Sequence, residues 1–116
     1  NPRHNDAAVD AVASSIAEFG FKVPIVVDKN HVVVTGHTRL KAAKKLGLEE
    51  VPVIVADDLT DAQIKAFRLA DNKVAEIATW DEQLLGLELA ELSDVGFDMS
   101  EFDFDVVNDK FVIDRD

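Results

Sequence analysis

Residues 32–45, Val32-Val33-Val34-Thr35-Gly36-His37-Thr38-Arg39-Leu40-Lys41-Ala42-Ala43-Lys44-Lys45, decide how this chain is read. An apolar run, preceded by His31, stops at Gly36. A polar turn of His37, Thr38 and Arg39 follows, and a short helix carrying Lys41, Lys44 and Lys45 begins there. A strand that passes through a glycine turn into a helix start aims unpaired backbone amides and the positive end of the helix dipole at one point. That point suits an anion, most often a phosphate. Arg39 in the first turn adds a forked, bidentate grip. The same pattern also describes an ordinary strand-to-helix turn with a solvated basic face, because single-glycine turns are common.

Outward from this stretch the chain alternates short apolar runs with helical periodicity. Upstream, Val9, Val12, Ala13, Ile16 and Ala17 fall at helical spacing, which predicts a helix capped by Asp6 and stopped near Phe19 by Gly20. Residues 24–27 read as a strand, Asp28-Lys29-Asn30 as a turn and residues 31–35 as a second strand, which makes a hairpin. Val32-Val33-Val34 does not alternate and is expected to be buried on both faces. Leu40, Ala43 and Leu46 mark the core side of the next helix, which Gly47 ends. Residues 51–55 form a third strand, with Pro52 favouring an edge position or a strand start. Thr60-Asp61-Ala62-Gln63 has the capping-box form, opening a helix that carries Ile64, Phe67 and Leu69 to about Ala70. After Asp71-Asn72-Lys73, residues 74–77 suggest more helix. Asp81 is a good N-cap for a Leu-rich helix over 82–92, whose leucines occupy more than one face and so point to a contact outside the domain. Gly96 ends it, and residues 97–116 read as a linker or a short strand pair.

Composition narrows the function classes. The 116 residues suit one core, and 47% hydrophobic with 30% charged residues is an ordinary globular mixture. No apolar run approaches the roughly 18 residues of a membrane span. The absence of Cys excludes disulfides, zinc–thiolate sites and thiol catalysis, and is compatible with a reducing cytoplasm. Asn1-Pro2-Arg3-His4 shows no initiator Met and no signal-peptide pattern, as expected of a domain cut from a longer protein. The net charge of −11 argues at first against nucleic acid, but it is unevenly spread. Residues 81–116 hold 12 acidic and 2 basic residues, whereas residues 1–80 hold 11 and 10. A near-neutral body with a local basic cluster and a separate acidic segment fits a phosphate-binding face beside a solvated tail.

The order of motifs carries more than any one of them. Asn1-Pro2-Arg3, Gly20-Phe21-Lys22-Val23-Pro24-Ile25-Val26-Val27, Gly36-His37-Thr38-Arg39-Leu40-Lys41-Ala42-Ala43 and Val51-Pro52-Val53-Ile54-Val55 follow one another. Over roughly residues 1–80 this resembles the N-terminal domain of the ParB family, in the ParB/sulfiredoxin-like fold. The resemblance implies an α/β (mixed α+β) domain: a small mixed sheet flanked by helices, here with a helical extension over 81–96 and an acidic, linker-like tail over 97–116. Phe67-Arg68-Leu69-Ala70-Asp71-Asn72-Lys73, Trp80-Asp81 and Val95-Gly96-Phe97-Asp98 look like the ParB-like domain at the front of phage and bacterial DNA-modification methyltransferases. None of the methyltransferase's own signatures is present, so this piece would be accessory to a C-terminal methyltransferase domain or to a homodimer partner.

The resemblance also implies a site. Chromosome-partitioning relatives bind a nucleoside triphosphate with magnesium. By that likeness Gly36, His37, Thr38, Arg39 and Lys41 would hold phosphates of CTP or ATP, with Arg3 as a second cation. Asp71 and Asn72 match a Glu-Asn pair that supports metal and phosphates. The departures are Asp71 in place of Glu, His37 and Thr38 in place of a charged pair, and Lys73 and Glu76 near where an Arg is absent. They put hydrolysis in doubt more than phosphate affinity. Sulfiredoxins use a Cys in the equivalent turn, which rules out reductase chemistry here. Expected partners are nucleotide and DNA, with weak DNA binding for the isolated piece, in a bacterial, phage or prophage-encoded cytoplasmic protein without membrane attachment.

Each residue also has a plainer reading. Arg39 opposes the helix dipole, which is unfavourable without an anion; alternatively it pairs with Asp71 or Glu76. His37 is a phosphate donor or a solvated turn residue. Asp71 and Asn72 are hard oxygen ligands for a partly hydrated magnesium, or a helix end at Asn72. Trp80 with Phe97 and Phe102 is a platform for bases, or an anchor for the Leu-rich helix in an acidic region that repels a nucleic-acid backbone. Three function classes follow: a binding module serving DNA modification, transcription regulation or partitioning; a nucleotide hydrolase, phosphotransferase or nuclease with Asp71 and Glu76 as candidate acids; and a docking or oligomerisation domain.

Overall fold

The computed structural model describes residues 2–104, with side chains from Ala7 onward. The side chain of Arg3 and the whole of residues 105–116, most of the expected tail, therefore lie outside the described residues. Two compact units are present, residues 1–78 and residues 79–116.

The first unit holds α1 (Pro2–Phe19), β1 (Ile25–Val27), β2 (Val33–Thr35), α2 (His37–Lys45), β3 (Val53–Val55) and α3 (Asp61–Ile77). This is the mixed α/β architecture expected from the sequence. The first helix starts at Pro2, a full turn before Asp6. Proline suits a first helical position, where its missing N–H would have had no intrahelical acceptor, so Asp6 lies inside the helix and is not its cap.

The sheet order is β2-β1-β3. Strands β1 and β2 form the antiparallel hairpin, with Val26 opposite Thr35 and Val27 opposite Val33, so the register slips by one residue across Val34. The loop is tighter than the sequence suggested. The Asp28 carboxylate accepts from the amides of Asn30 (2.8 Å) and Val32 (3.0 Å), and His31 takes a left-handed conformation, φ 64°. His31 and Val32 are thereby drawn out of the strand, and of the three valines only Val34 is fully buried while Val32 is exposed. Strand β3 runs parallel to β1, pairing Ile25 with Val53 and Val27 with Val55. Parallel pairing requires a crossover, and β2 with α2 supplies it. Pro52 precedes β3, which is an edge strand, and all three of its side chains are exposed.

The core of this unit is small: Ala13, Ile25, Val27, Val34, Ala42, Ala43 and Ile64. Helix α1 packs on α2, and α2 on β1. The inner face of α2 is Ala42 and Ala43 rather than the expected Leu46, which is exposed. Alanines at that contact let two helices and a strand approach closely. Gly47, φ 76°, ends α2 with Gly47 N–H donating to Lys44 O (3.1 Å) and Leu48 N–H to Ala43 O (3.0 Å), a Schellman arrangement.

The capping box of α3 is formed as read: Gln63 N–H donates to Thr60 Oγ1 (3.1 Å) and Thr60 N–H to Gln63 Oε1 (2.9 Å). The helix does not stop near Ala70. It runs unbroken through Asp71-Asn72-Lys73 to Ile77, and only Ile64 of its apolar residues is buried, Phe67 and Leu69 being exposed.

In the second unit α4 (Glu82–Asp94) is capped by Asp81, whose Oδ1 accepts from Leu84 N–H at 3.1 Å. Its C-terminus repeats the Schellman arrangement at Gly96, with Phe97 N–H donating to Leu92 O at 2.8 Å. A 3₁₀ turn, Met99–Phe102, follows and contacts α4.

Two measurements check this description. Gly36 has φ 102°, and a Cβ there would lie 3.1 Å from Ile25 Cγ1 and 3.3 Å from Ile25 Cα, whereas Gly47 has open space around it. Both positions resist an L side chain, but only Gly36 adds a clash with backbone. Gly36→Ala is expected to cost about 1–3 kcal/mol in denaturant unfolding, and visibly more than Gly47→Ala. Equal costs at the two positions would mean the approach to Ile25 is not tight. The second concerns the exposed Asp98 carboxyl, held below its usual range by hydrogen bonds from the Ser100 hydroxyl and amide. A carboxyl with a depressed folded-state pKa contributes stability above its ordinary value and loses it as pH falls through the lowered one. The Ser100 amide resonance should therefore shift as pH drops below 3.8, and Asp98→Asn should abolish that shift.

Candidate functional site

Gly36 is the N-cap of α2 and offers no side chain to its amides. The first intrahelical bond runs from Leu40 N–H to Gly36 O (2.9 Å), so the amides of His37, Thr38 and Arg39 have no acceptor among the described residues. No acidic residue occupies the first turn. Among the described residues nothing compensates the positive end of the helix.

Arg39 stands in this turn, half-buried. It lines a cleft of about 200 Å³ with Ser15, Phe19, Phe21 and Lys22 among its neighbours. The cleft lies between the end of α1, the Gly20–Val23 loop and the start of α2. Its lining contains two cations, Arg39 and Lys22, and no carboxylate. Neither cation has an ion pair or hydrogen bond among the described residues. The expected alternative partners of Arg39 are otherwise engaged or absent from the cleft: Glu76 pairs with Lys73 at 3.9 Å, and Asp71 is exposed. A guanidinium that is partly desolvated, set against a helix dipole and left without a counter-charge favours an incoming anion.

The other expected site residues divide. Thr38 is half-buried in the same turn, while His37 and Lys41 are exposed. The basic face of α2 is narrower than its sequence suggests, because Lys45 forms an ion pair with Asp10 of α1. Asp71, Asn72 and Glu76 all lie on the exposed length of α3, and none of them lines the cleft. The reading of Asn72 as a helix end is corrected, since it is mid-helix. Consecutive helical residues point about 100° apart, so Asp71 and Asn72 leave α3 on different sides. No cluster of three or more His, Asp or Glu that could hold a metal occurs among the described residues. Only a magnesium that keeps its waters and takes most of its ligands from phosphates fits this donor set.

Sequence reasoning overlooked Lys22, Phe21 and Ser15. Lys22 sits immediately after the helix-ending Gly20 and Phe21. A cation in such a loop was legible as a motif member, but its approach to Arg39 depends on how α1 lies on α2. Trp80 meets Phe104 edge-on, with centroids 5.8 Å apart and planes at 63°.

The fold and the turn together define a small α/β domain with a helix start whose first amides have no acceptor among the described residues, and comparison with known proteins gives that class a family. The family model of the ParB N-terminal domain matches residues 1–73, and the chain belongs to that family. It is 38% identical over 60 residues to the ParB-like nuclease domain-containing protein YnaK of Escherichia coli (strain K12), covering 52% of this chain and 69% of that one. It is 35% identical over 98 residues to the probable chromosome-partitioning protein ParB of Campylobacter jejuni, covering 77% of this chain and 31% of that one. Among solved structures, the C-terminally truncated chromosome-partitioning protein ParB of Caulobacter crescentus, complexed with CTP-γ-S, superposes with a TM-score of 0.60 at 24% identity. That match covers 84% of this chain and 52% of the other, and it shows the shared fold. The chain thus spans about a third of the Campylobacter partitioning protein and about half of the Caulobacter chain.

If Arg39 is held for an anion and not for the fold, removing its charge leaves stability intact. Arg39→Gln is expected to change unfolding free energy by no more than about 0.5 kcal/mol, with any change towards greater stability as the dipole conflict is relieved. A loss beyond about 1 kcal/mol in chemical denaturation would assign Arg39 a structural role.

Proposed function

We propose that this domain binds the phosphates of a nucleoside triphosphate at the Gly36–Arg39 turn and serves DNA transactions as part of a longer protein. The observation that carries the reading is the unpartnered, half-buried Arg39 beside three free amides, lining a cleft that holds a second cation and no acid. Its volume is below the roughly 300–1,000 Å³ of sites that enclose a whole ligand. It suits one end of a nucleotide, with the phosphates at the mouth. Backbone amides of residues 37–39, the Thr38 hydroxyl, Arg39 and Lys22 would bind phosphate oxygens, with His37, Lys41 and Arg3 as additional cationic or donor groups. Membership of the ParB family and the CTP-γ-S complex of the Caulobacter neighbour favour CTP over ATP. Magnesium would arrive with the nucleotide, Asp71 or Asn72 supplying at most one ligand each.

At the level of the whole protein, the likeness to partitioning proteins supports a role in DNA segregation. The resemblance of residues 67–104 to methyltransferase-associated domains supports DNA modification, with residues 1–80 as the binding domain, 81–96 as a helical extension and 97–116 as an acidic tail. In either setting DNA and a second copy or a fused catalytic domain are the proposed partners, inside a bacterial cell or one carrying a phage. Isolated, the domain would bind DNA weakly, because residues 79–104 carry eight carboxylates and no Lys or Arg. Catalysis has less support: the candidate acids Asp71 and Glu76 lie on an exposed helix outside the cleft.

Titration with CTP and with ATP, each with and without magnesium, tests the proposal. CTP with magnesium is expected to bind. Arg39→Ala should weaken it at least about tenfold, as the loss of one charge-assisted contact requires, and Lys22→Ala should weaken it less. Failure of both nucleotides to bind, in this domain and in its longer parent, ends the reading. Phosphate release that disappears in Arg39→Ala would instead move the domain among the enzymes.

A further inference from the structure

Helix α4 carries two apolar stripes. Leu85 and Leu89 are buried and Leu92 is half-buried, which forms its inner side. Leu84 and Leu87 lie on a separate face, 54% and 65% exposed, while Trp80, just before the N-cap Asp81, and Val95, the C-cap, are 67% and 71% exposed at the two ends of the helix. Asp81, Glu88, Glu91 and Asp94, all exposed, lie along or beside that face. An apolar stripe of about 100 degrees is enough to pack a helix on its own domain, so this second face is surplus to the packing among the described residues of the unit.

The charges around the stripe select its occupant. From Thr79 to Phe104 there are eight carboxylates and no cation. Nucleic acid and anionic surfaces are repelled. A second copy docked face to face about a twofold axis would bring the carboxylates of Glu88, Glu91 and Asp94 in one copy close to those of the other, which opposes self-association through this face. A segment with an apolar stripe flanked by Lys or Arg satisfies both features at once, burying Trp80, Leu84 and Leu87 while its cations meet the flanking carboxylates. We propose that the Leu84–Leu87 face of α4, together with the exposed Trp80 just before the helix, is a docking site for a cationic amphipathic helix of a partner protein. This site is separate from the cleft at Arg39 and stands whether or not nucleotide binds there.

Trp80 is the sole tryptophan, so intrinsic fluorescence reads the site directly. The probe is a synthetic peptide of about four helical turns, with Leu at helical i, i+3, i+4, i+7 spacing and Lys elsewhere, titrated into the full chain. The expected result is a blue shift of Trp80 emission that saturates, with affinity falling at least about tenfold between roughly 0.02 M and 0.5 M salt. The same peptide with Glu in place of Lys should give no shift. Leu84→Glu with Leu87→Glu should abolish it, while circular dichroism shows an unchanged helix, since neither side chain is in the core. If that variant does not fold, Leu84→Ser with Leu87→Ser serves in its place. The proposal is overturned if calorimetry and fluorescence both show no binding, if the Glu peptide binds as well as the Lys peptide, or if the variant binds normally. A concentration-dependent blue shift without peptide, with a dimer in sedimentation, would name a second copy as the occupant and equally overturn it.

Discussion

The first unit depends on one close approach: the backbone of Gly36 lies against Ile25, where a Cβ would meet Ile25 Cγ1 at 3.1 Å and Ile25 Cα at 3.3 Å. Ile25 is itself fully buried and pairs with Val53, so the contact ties the start of α2 to the central strand. A side chain at 36 would press on Ile25 and strain the left-handed backbone there, at the point where α2 brings Ala42 and Ala43 into the core. Because α1 packs on α2, the cleft between them inherits its shape from the same glycine. The positive φ at Gly36 also turns the chain so that the following three amides emerge together. One residue thus sets the packing of the fold and the aim of its candidate site.

Charge placement around α2 shows two different uses of cations. At the C-terminal end Lys45 meets Asp10, and Lys44 joins it in the last turn, where positive charge complements the helix dipole. At the N-terminal end Arg39 is placed against the dipole and has no carboxylate to offset it. An exposed ion pair such as Lys45–Asp10 is worth little to stability. The other end carries an electrostatic cost that the proposed phosphate would relieve.

The legible part of the fold was the part written in local chemistry. Thr60 and Gln63 announce a capping box, Asp81 an N-cap, Gly47 and Gly96 helix ends, and Gly36 the turn that opens α2; each acts over a few residues, so spacing alone conveys it. The misreadings have tertiary causes. Val32 was expected inside because a valine run implies burial, but the Asp28 carboxylate tightens the loop and pulls Val32 out of the strand. Leu46 was expected in the core by periodicity, but the tight seat of α2 admits only Ala42 and Ala43. Asp71-Asn72-Lys73 looked like an interruption because those side chains favour helix ends, yet a helix with a strong cap and favourable neighbours runs through them. Lys22 escaped notice because its relation to Arg39 spans two elements that meet only after folding.

Strand β3 carries a liability along with its role. It is an edge strand of three β-branched residues, Val53, Ile54 and Val55, all exposed. Bare edges of this kind invite growth of the sheet by neighbouring molecules. The sequence brackets it with Glu49 and Glu50 before Pro52 and with Asp57 and Asp58 after Ala56, so two approaching copies bring like charges together at both ends and meet a residue without an N–H at one of them. The guard is ionic, so concentrated salt screens it. It rests on a few side chains that take no part in the core and do not line the cleft.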